Sequence, residues 1–296
     1  MEKRPFFETG HFRSPEEVAR LFKIPENPNL IPNIVVFVSP ARSGSTALLA
    51  VMAGHPGVDK AYFQPWKFGL RHGGETIVDP VGPNDKGVVF MKETLGPIDE
   101  AEIFDPINIL MKAGVPINKI GGVIFGLRNP VNAIASLDHY VPGGQNLEYY
   151  ARMQRYIIDL YAKHRQLMGN KAVPFVFDLL EEGEFNVLKR VLDRVGLGET
   201  FQESHLIFDP RALGVDNEWN LIIPSSEGVK VRWGEALNPT YFHEAVYPTL
   251  RQGRFRYVGG THKKPNISLE REKEILSLCG DDYYNFLDLA KGDLGF

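Results

Sequence analysis

The chain has 296 residues, 43% of them hydrophobic and 24% charged, a globular composition that provides for a sizeable core and excludes disordered and fibrous proteins. A formal net charge of −4 excludes the basic field that holds a protein on nucleic acid, and a single cysteine, Cys279, excludes an internal disulfide. No stretch approaches the roughly 18 apolar residues of a membrane span, and the start, Met1-Glu-Lys-Arg-Pro-Phe-Phe-Glu8, has no apolar run behind its charges, so a cytoplasmic protein without a membrane or nucleic-acid partner is expected.

In chain order, Ser14 to Lys23 forms a short amphipathic helix opened by Ser-Pro-Glu-Glu, with a serine cap, a proline at the first helical position and acids in the first turn. A Pro/Asn-rich connector, Ile24 to Asn33, follows. Ile34-Val-Val-Phe-Val38 is a continuously apolar, β-branched run, the pattern of a strand buried on both faces of a parallel sheet. It leads into a glycine-containing loop and then a helix, Thr46 to Ala53, ended by Gly54-His-Pro56. Further strands are predicted at Gly87–Met91, Gly122–Leu127 and Val173–Phe177. Helices are predicted at Val131–Tyr140, Leu147–Gln166, Glu184–Val195 and Ser268–Ala290. This alternation predicts an α/β fold: one domain, residues 34–296, with a mostly parallel central sheet between layers of helices, preceded by an N-terminal extension, residues 1–33. Two loop-rich stretches, Lys60–Lys86 and Ser204–Gly228, are too long for simple connectors and are candidate lids.

Chemistry concentrates where strands hand over to helices. Ser39-Pro-Ala-Arg-Ser-Gly-Ser-Thr46 gathers backbone N–H groups, a positive helix end and several hydroxyls at one point, which suits an anion; a plain Gly/Ser turn is the alternative for this loop alone. A Walker loop is absent, because no lysine follows the glycine and Arg42 precedes it. A second handover, Gly126-Leu-Arg128-Asn-Pro130 followed by Val131-Asn-Ala-Ile-Ala-Ser136, puts Arg128 at a strand end and Ser136 two turns into the next helix, where both can reach one phosphate. Ligands of parallel sheets bind beyond the carboxyl ends of the strands, so both loops open on one crevice. Two anion sites there suit a nucleotide phosphorylated at its 5′ and 3′ positions.

These two motifs resemble the 5′-phosphosulfate loop and the 3′-phosphate motif of sulfotransferases that use 3′-phosphoadenylyl sulfate (PAPS), including the eight-residue step from Arg128 to Ser136. Phe177-Asp-Leu-Leu-Glu-Glu182 is similar to the family's Tyr-Glu-Asp segment, and Gly228-Val-Lys-Val-Arg-Trp-Gly-Glu-Ala-Leu237 to its Gly-x-x-Trp-x-x-x-Leu stretch. The resemblance implies a P-loop-like fold, PAPS as co-substrate and adenosine 3′,5′-bisphosphate (PAP) as product. It places Arg42, Ser43, Gly44, Ser45 and Thr46 on the phosphosulfate, Arg128 and Ser136 on the 3′-phosphate, and Phe177 near adenine. Departures are equally specific. The cytosolic branch has lysine where Arg42 stands and an adenine-stacking tryptophan where Ala47 stands, and its Arg-Lys-Gly loop is not evident, leaving Lys230 and Arg232 as substitutes. An arginine in the 5′ loop is like the tyrosylprotein and other non-cytosolic-type sulfotransferases.

Sulfuryl transfer needs a cation where charge builds on the leaving nucleotide and a base at the acceptor. Arg42 fits the first role, since its planar fork spans two oxygens. For the second, Lys92-Glu93-Thr94 stands where many relatives have Lys-Thr-His, and its Lys-Glu is similar to the heparan-type enzymes, which makes Glu93 the leading candidate. A structural ion pair with Lys92 or Arg42 is the alternative for Glu93, and His72, His55 and His139 are the other candidate bases. Tyr62, Trp66, Phe68, Tyr140, Tyr149 and Trp219 are candidate lining for the pocket of a small-molecule acceptor, with core packing as their alternative. No metal cluster is evident and none is expected. N-sulfonation, a P-loop kinase and a nucleotide-binding module without catalysis remain as other readings.

Overall fold

The computed structural model describes residues 14–20, 22, 24–53, 55–66, 87–96, 100–138, 146–206, 214–215, 220–222, 230–232 and 267–296. Five strands carry the fold: β1 (Asn33–Pro40), β2 (Val58–Phe63), β3 (Val88–Leu95), β4 (Ile120–Leu127) and β5 (Ala172–Val176). Three short strands follow, β6 (Gly214–Val215), β7 (Asn220–Ile222) and β8 (Lys230–Arg232). Among the described residues they form one sheet in the order β5-β4-β1-β3-β2-β8-β7-β6. Pairing is parallel from β5 through β8 and antiparallel between β8, β7 and β6.

The helices are α1 (Pro15–Ala19), α2 (Ser45–Ala53), α3 (Pro106–Lys112), α4 (Pro130–Asp138), α5 (Leu147–Met168), α6 (Glu184–Arg194) and α7 (Leu269–Leu294). Every residue of β1 from Ile34 to Pro40 is buried, and so is every residue of β3 from Val89 to Leu95, so the sheet is covered on both faces. Helix α2 packs on β2 and β3, α5 on β1, β4 and β5, and α7 on β5, α4 and α5. Helix α5 places Tyr150, Met153, Gln154, Ile157, Leu160, Tyr161 and His164 on one buried stripe at spacings of three and four, the condition for an amphipathic helix to lie on a sheet.

Local signals work as expected at the ends. Ser14 and Glu17 form a reciprocal capping box on α1, and Ser268 caps α7 through the Arg271 N–H. Val18 and Phe22 are buried, so residues just before β1 pack against the rest of the core.

Three features depart from the sequence reading. Strand β2 occupies Val58–Phe63, so the expected loop from Lys60 begins inside a strand; Asp59 and Lys60 interrupt the apolar run that would have marked it. Helix α3 is also new, about two turns started by Asp105, whose carboxylate accepts the N–H groups of Ile107 and Asn108. The expected loop Ser204–Gly228 contains β6 and β7, which at two and three residues are too short to show a period-two pattern. Residues 67–86 lie outside the described residues, as do His72, Phe68, His139, Tyr140 and Trp219.

Candidate functional site

Strand β1 ends at Pro40 and α2 begins at Ser45, leaving Ala41, Arg42, Ser43 and Gly44 to turn the chain. Arg42 has φ +68° and Gly44 φ +77°, so left-handed residues flank Ser43, a backbone that turns successive N–H groups toward one side. A glycine at 44 is also sterically required, because a Cβ there would fall 2.1 Å from the Phe177 ring. An arginine in the left-handed region is strained by about 1–2 kcal/mol, and tertiary contacts hold it. Arg42 Nε donates to Ser136 Oγ at 2.9 Å, its carbonyl accepts from Arg128 Nη1 at 3.3 Å, and the neighbouring Ala41 N–H donates to the Leu95 carbonyl at 3.3 Å.

The second loop is built alike. Strand β4 ends at Leu127, Asn129 Oδ1 accepts the N–H groups of Val131 and Asn132, and Pro130 opens α4 where no N–H is needed. Arg128 lies between strand and cap, its guanidinium 5.8 Å from the centroid of Phe177. Two buried polar atoms here have no partner within the protein, Ser43 Oγ in the first loop and Arg128 Nε in the second; Ser39 Oγ, at the end of β1, is a third. Buried polar atoms are normally matched, so these three are candidate contacts for a polar ligand. The structure thus brings Arg42, Ser43, Gly44, Arg128, Ser136 and Phe177 together. Ser45 is buried at the start of α2. Thr46 lies in that helix's first turn, with only its backbone described. Phe177 is buried, wedged between Gly44 and Arg128 and in T-shaped contact with Phe175. Lys230 and Arg232 lie on β8, four strand positions from β4, roughly 19 Å across a flat sheet.

Glu93 lies opposite Val38 in the β1–β3 register, one residue before the partner of Ser39. It is fully buried, and both oxygens accept backbone N–H groups: Oε2 from Trp66 at 3.1 Å and Oε1 from Thr94 at 3.0 Å. Gln64, just past β2, has φ +51°; its N–H donates to the Lys92 carbonyl at 2.7 Å and its side-chain amide to Thr94 Oγ1. Among the described residues, Arg42 and Gln64 are the non-glycine residues with positive φ. They follow β1 and β2, the two strands that flank β3, so backbone strain gathers on either side of Glu93. Tyr62, Trp66 and Tyr149 are buried.

His55 lies past the far end of α2. Its Nδ1 accepts the Gly57 N–H at 3.0 Å and its Nε2 donates to the Leu197 carbonyl at 2.9 Å, so both ring nitrogens are engaged by backbone. Burial, helped by neighbouring His205, pushes its pKa down to about 4. Among the described residues, no group of three or more His, Cys, Asp or Glu is placed to hold a metal, and no helix is long and apolar enough to cross a membrane.

Sequence reasoning included Ser39 in the anion loop without giving it a role, and missed Gln64 and the anchoring of Glu93 by Trp66. Ser39 carried a signal, a polar residue at the end of an apolar strand; the pairing of Gln64 with Thr94 carried none.

No family model matches the chain, and no curated protein matches it in sequence. Among solved structures it is similar to mouse sulfotransferase SULT7A1 complexed with PAP, at 14% identity over 92% of this chain and 90% of that one, with a TM-score of 0.52. At that identity the likeness establishes a shared fold: the mostly parallel α/β sheet flanked by helices that the strand and helix pattern predicts, of the P-loop-like kind that the resemblance implies.

Proposed function

We propose that the chain is a sulfotransferase that moves a sulfuryl group from PAPS to a hydroxyl of a small-molecule acceptor and releases PAP. The observation that carries this reading is the cross-linked pair of loops at the ends of adjacent strands, where Arg42 bonds Ser136 and Arg128 bonds the Arg42 carbonyl, with the Ser43 hydroxyl and Arg128 Nε buried and unmatched beside them. A donor with anionic groups at both its 5′ and 3′ ends satisfies both loops at once. The fold shared with a PAP-complexed sulfotransferase supports the choice of nucleotide.

In this reading the backbone of Ser43 and Gly44 and the first turn of α2, with Ser45 and Thr46, hold the phosphosulfate. Arg128 and Ser136 hold the 3′-phosphate, and Phe177 spaces the two loops. As the acceptor oxygen bonds to sulfur, the bond from sulfur to the bridging oxygen breaks and charge passes to the 5′-phosphate, where the Arg42 guanidinium stabilises it. The acceptor proton goes to Glu93. Each Glu93 oxygen accepts a backbone N–H, which orients the carboxylate for that role.

A second reading, donor binding without transfer, draws on that same anchoring, because a carboxylate that staples Trp66 to β3 has a structural role without catalysis. Calorimetry with PAP, followed by a mass-spectrometric screen of hydroxyl and amine acceptors with PAPS, separates the two. Tight PAP binding with sulfated product in the absence of magnesium is the expected result. Binding with no product from any acceptor would favour the second reading, and absence of PAP binding would remove both.

A further inference from the structure

Each proposed anion loop is shaped by its own strand and helix, and the position of the second relative to the first needs a separate cause. The β4–β5 register supplies part of it: Leu127 lies opposite Val176, so Arg128-Asn129 and Phe177-Asp178 leave the sheet side by side. Asp178, at the start of the 3-10 turn Phe177–Glu182, uses one carboxylate oxygen for two bonds. Its Oδ2 accepts the Asn129 N–H at 2.7 Å and the Tyr283 phenol at 2.9 Å. Tyr283 is 2% exposed and belongs to α7. Asn129 is the residue between Arg128 and α4, and its side chain caps the helix that carries Ser136.

A chain of bonds therefore runs from the C-terminal helix, through Asp178, to the backbone on which both 3′-phosphate ligands depend. Helix α7 is itself fixed to neighbouring helices: Gln154 of α5 donates to the Cys279 carbonyl at 2.8 Å, Arg155 bonds Asp282 at 2.7 Å, and Arg271 lies 3.8 Å from Asp138 at the end of α4. Hydrogen bonds to a charged acceptor are among the stronger ones, and displacements of about 1 Å at a binding group have large effects.

We propose that Asp178 and Tyr283 are positioning residues for the 3′-phosphate site, through which the C-terminal helix sets where Arg128 and Ser136 meet the donor. The inference rests on the PAPS reading of the two loops. Neither residue touches the nucleotide. Their effect is larger at the 3′ end, because the 5′ loop, although cross-linked to Arg128 and Ser136 through Arg42, is also held from the other side by the β1–β3 pairing and the Ala41–Leu95 bond.

The test compares PAP with adenosine 5′-phosphate, which lacks the 3′ group, by calorimetry on the full chain. Tyr283→Phe removes one oxygen and is expected to weaken PAP by roughly five- to tenfold while changing adenosine 5′-phosphate by about twofold or less. Asp178→Ala should reproduce that selective loss, and Asp178→Asn, which keeps an oxygen acceptor, should restore most of it. Equal weakening of both nucleotides in Tyr283→Phe and Asp178→Ala would overturn the inference, as would unchanged affinities, because a purely structural role does not alter the ratio. Failure of the donor reading shows elsewhere, in the wild-type protein, as no preference for PAP over adenosine 5′-phosphate, and takes this inference with it.

Discussion

At the ends of β1 and β4 each proposed donor loop lies between a strand and the helix that follows it in sequence, whereas Glu93 is held across 27 residues by the Trp66 N–H. The contrast extends to the polar atoms. The proposed donor loops bury Ser43 Oγ and Arg128 Nε without a partner; both Glu93 oxygens accept backbone N–H groups, although Trp66 Nε1 is also buried without a partner. Unmatched buried donors are tolerated where a ligand supplies the missing acceptor, and a matched buried carboxylate is fixed in place before any ligand arrives. In the proposed reading the donor loops are the part that awaits a charge, and the Glu93 carboxylate is the part already oriented.

The strongest way to break that comparison is Glu93→Gln. It should lower kcat by roughly 10²- to 10⁴-fold while PAP affinity stays within about threefold. The amide also faces a backbone N–H with a donor of its own, so thermal melting belongs beside the kinetics. A well-folded variant with kcat within tenfold of wild type would leave Glu93 only its structural role.

Gly44→Ala probes the donor end through packing. Left-handed strain and the collision with Phe177 together should reduce stability by about 2–4 kcal/mol in urea unfolding. Gly114→Ala is the control, since Gly114 also has positive φ but nothing lies within 4 Å of an added Cβ, so strain of about 1–2 kcal/mol is all that is expected. Equal losses at the two positions would mean that Phe177 gives way and does not space the loops.

Arg128→Ala tests the assignment of charge. PAP should weaken by roughly 10- to 100-fold and adenosine 5′-phosphate far less, because one charge-assisted contact is removed from one end of the ligand. Equal losses would place the 3′-phosphate elsewhere.

The smallest effect belongs to His55, at the opposite end of α2 from the donor loop. Its pKa is about 4 in the folded chain against an ordinary 6.5, so the unfolded chain binds more protons between those values. The stability this group contributes is fully present above pH 6.5 and is lost as pH falls toward 4. About 1–2 kcal/mol should disappear by pH 5, read as a lower melting temperature. His55→Gln keeps one donor and one acceptor and should flatten that drop. A drop of the same size in the variant would assign the acid sensitivity to other groups.

Much of the donor end was legible in the sequence. A continuous β-branched run, a Gly/Ser loop and a helix, repeated as a strand, Arg128-Asn-Pro130 and a helix, identify two strand-to-helix loops without knowledge of the rest of the chain. The parallel sheet then brings them to one edge. At the proposed acceptor end Glu93 and Trp66 were legible as candidates but their surroundings were not: β2 has Asp59 and Lys60 in its middle, and nothing near Gln64 announces that it will cross to Thr94. His55 was legible in kind, a histidine beside a helix end, but its burial against Leu197 was not.

What the sequence determined by itself was local: the long apolar strands and the main helices, the serine caps of the first and last helices, and which residues can line an anion site, because hydrogen-bond periodicity, φ preference and capping act within a few residues. Only the tertiary structure decided that Arg42 reaches Ser136, that Phe177 fills the space a side chain at Gly44 would need, and that Tyr283 and Asn129 share one oxygen of Asp178. Those pairs are 94 and 105 residues apart for Arg42–Ser136 and Asp178–Tyr283. Their meeting depends on sheet order and register, which arise from burying the apolar faces of all the elements together and are written in no single segment.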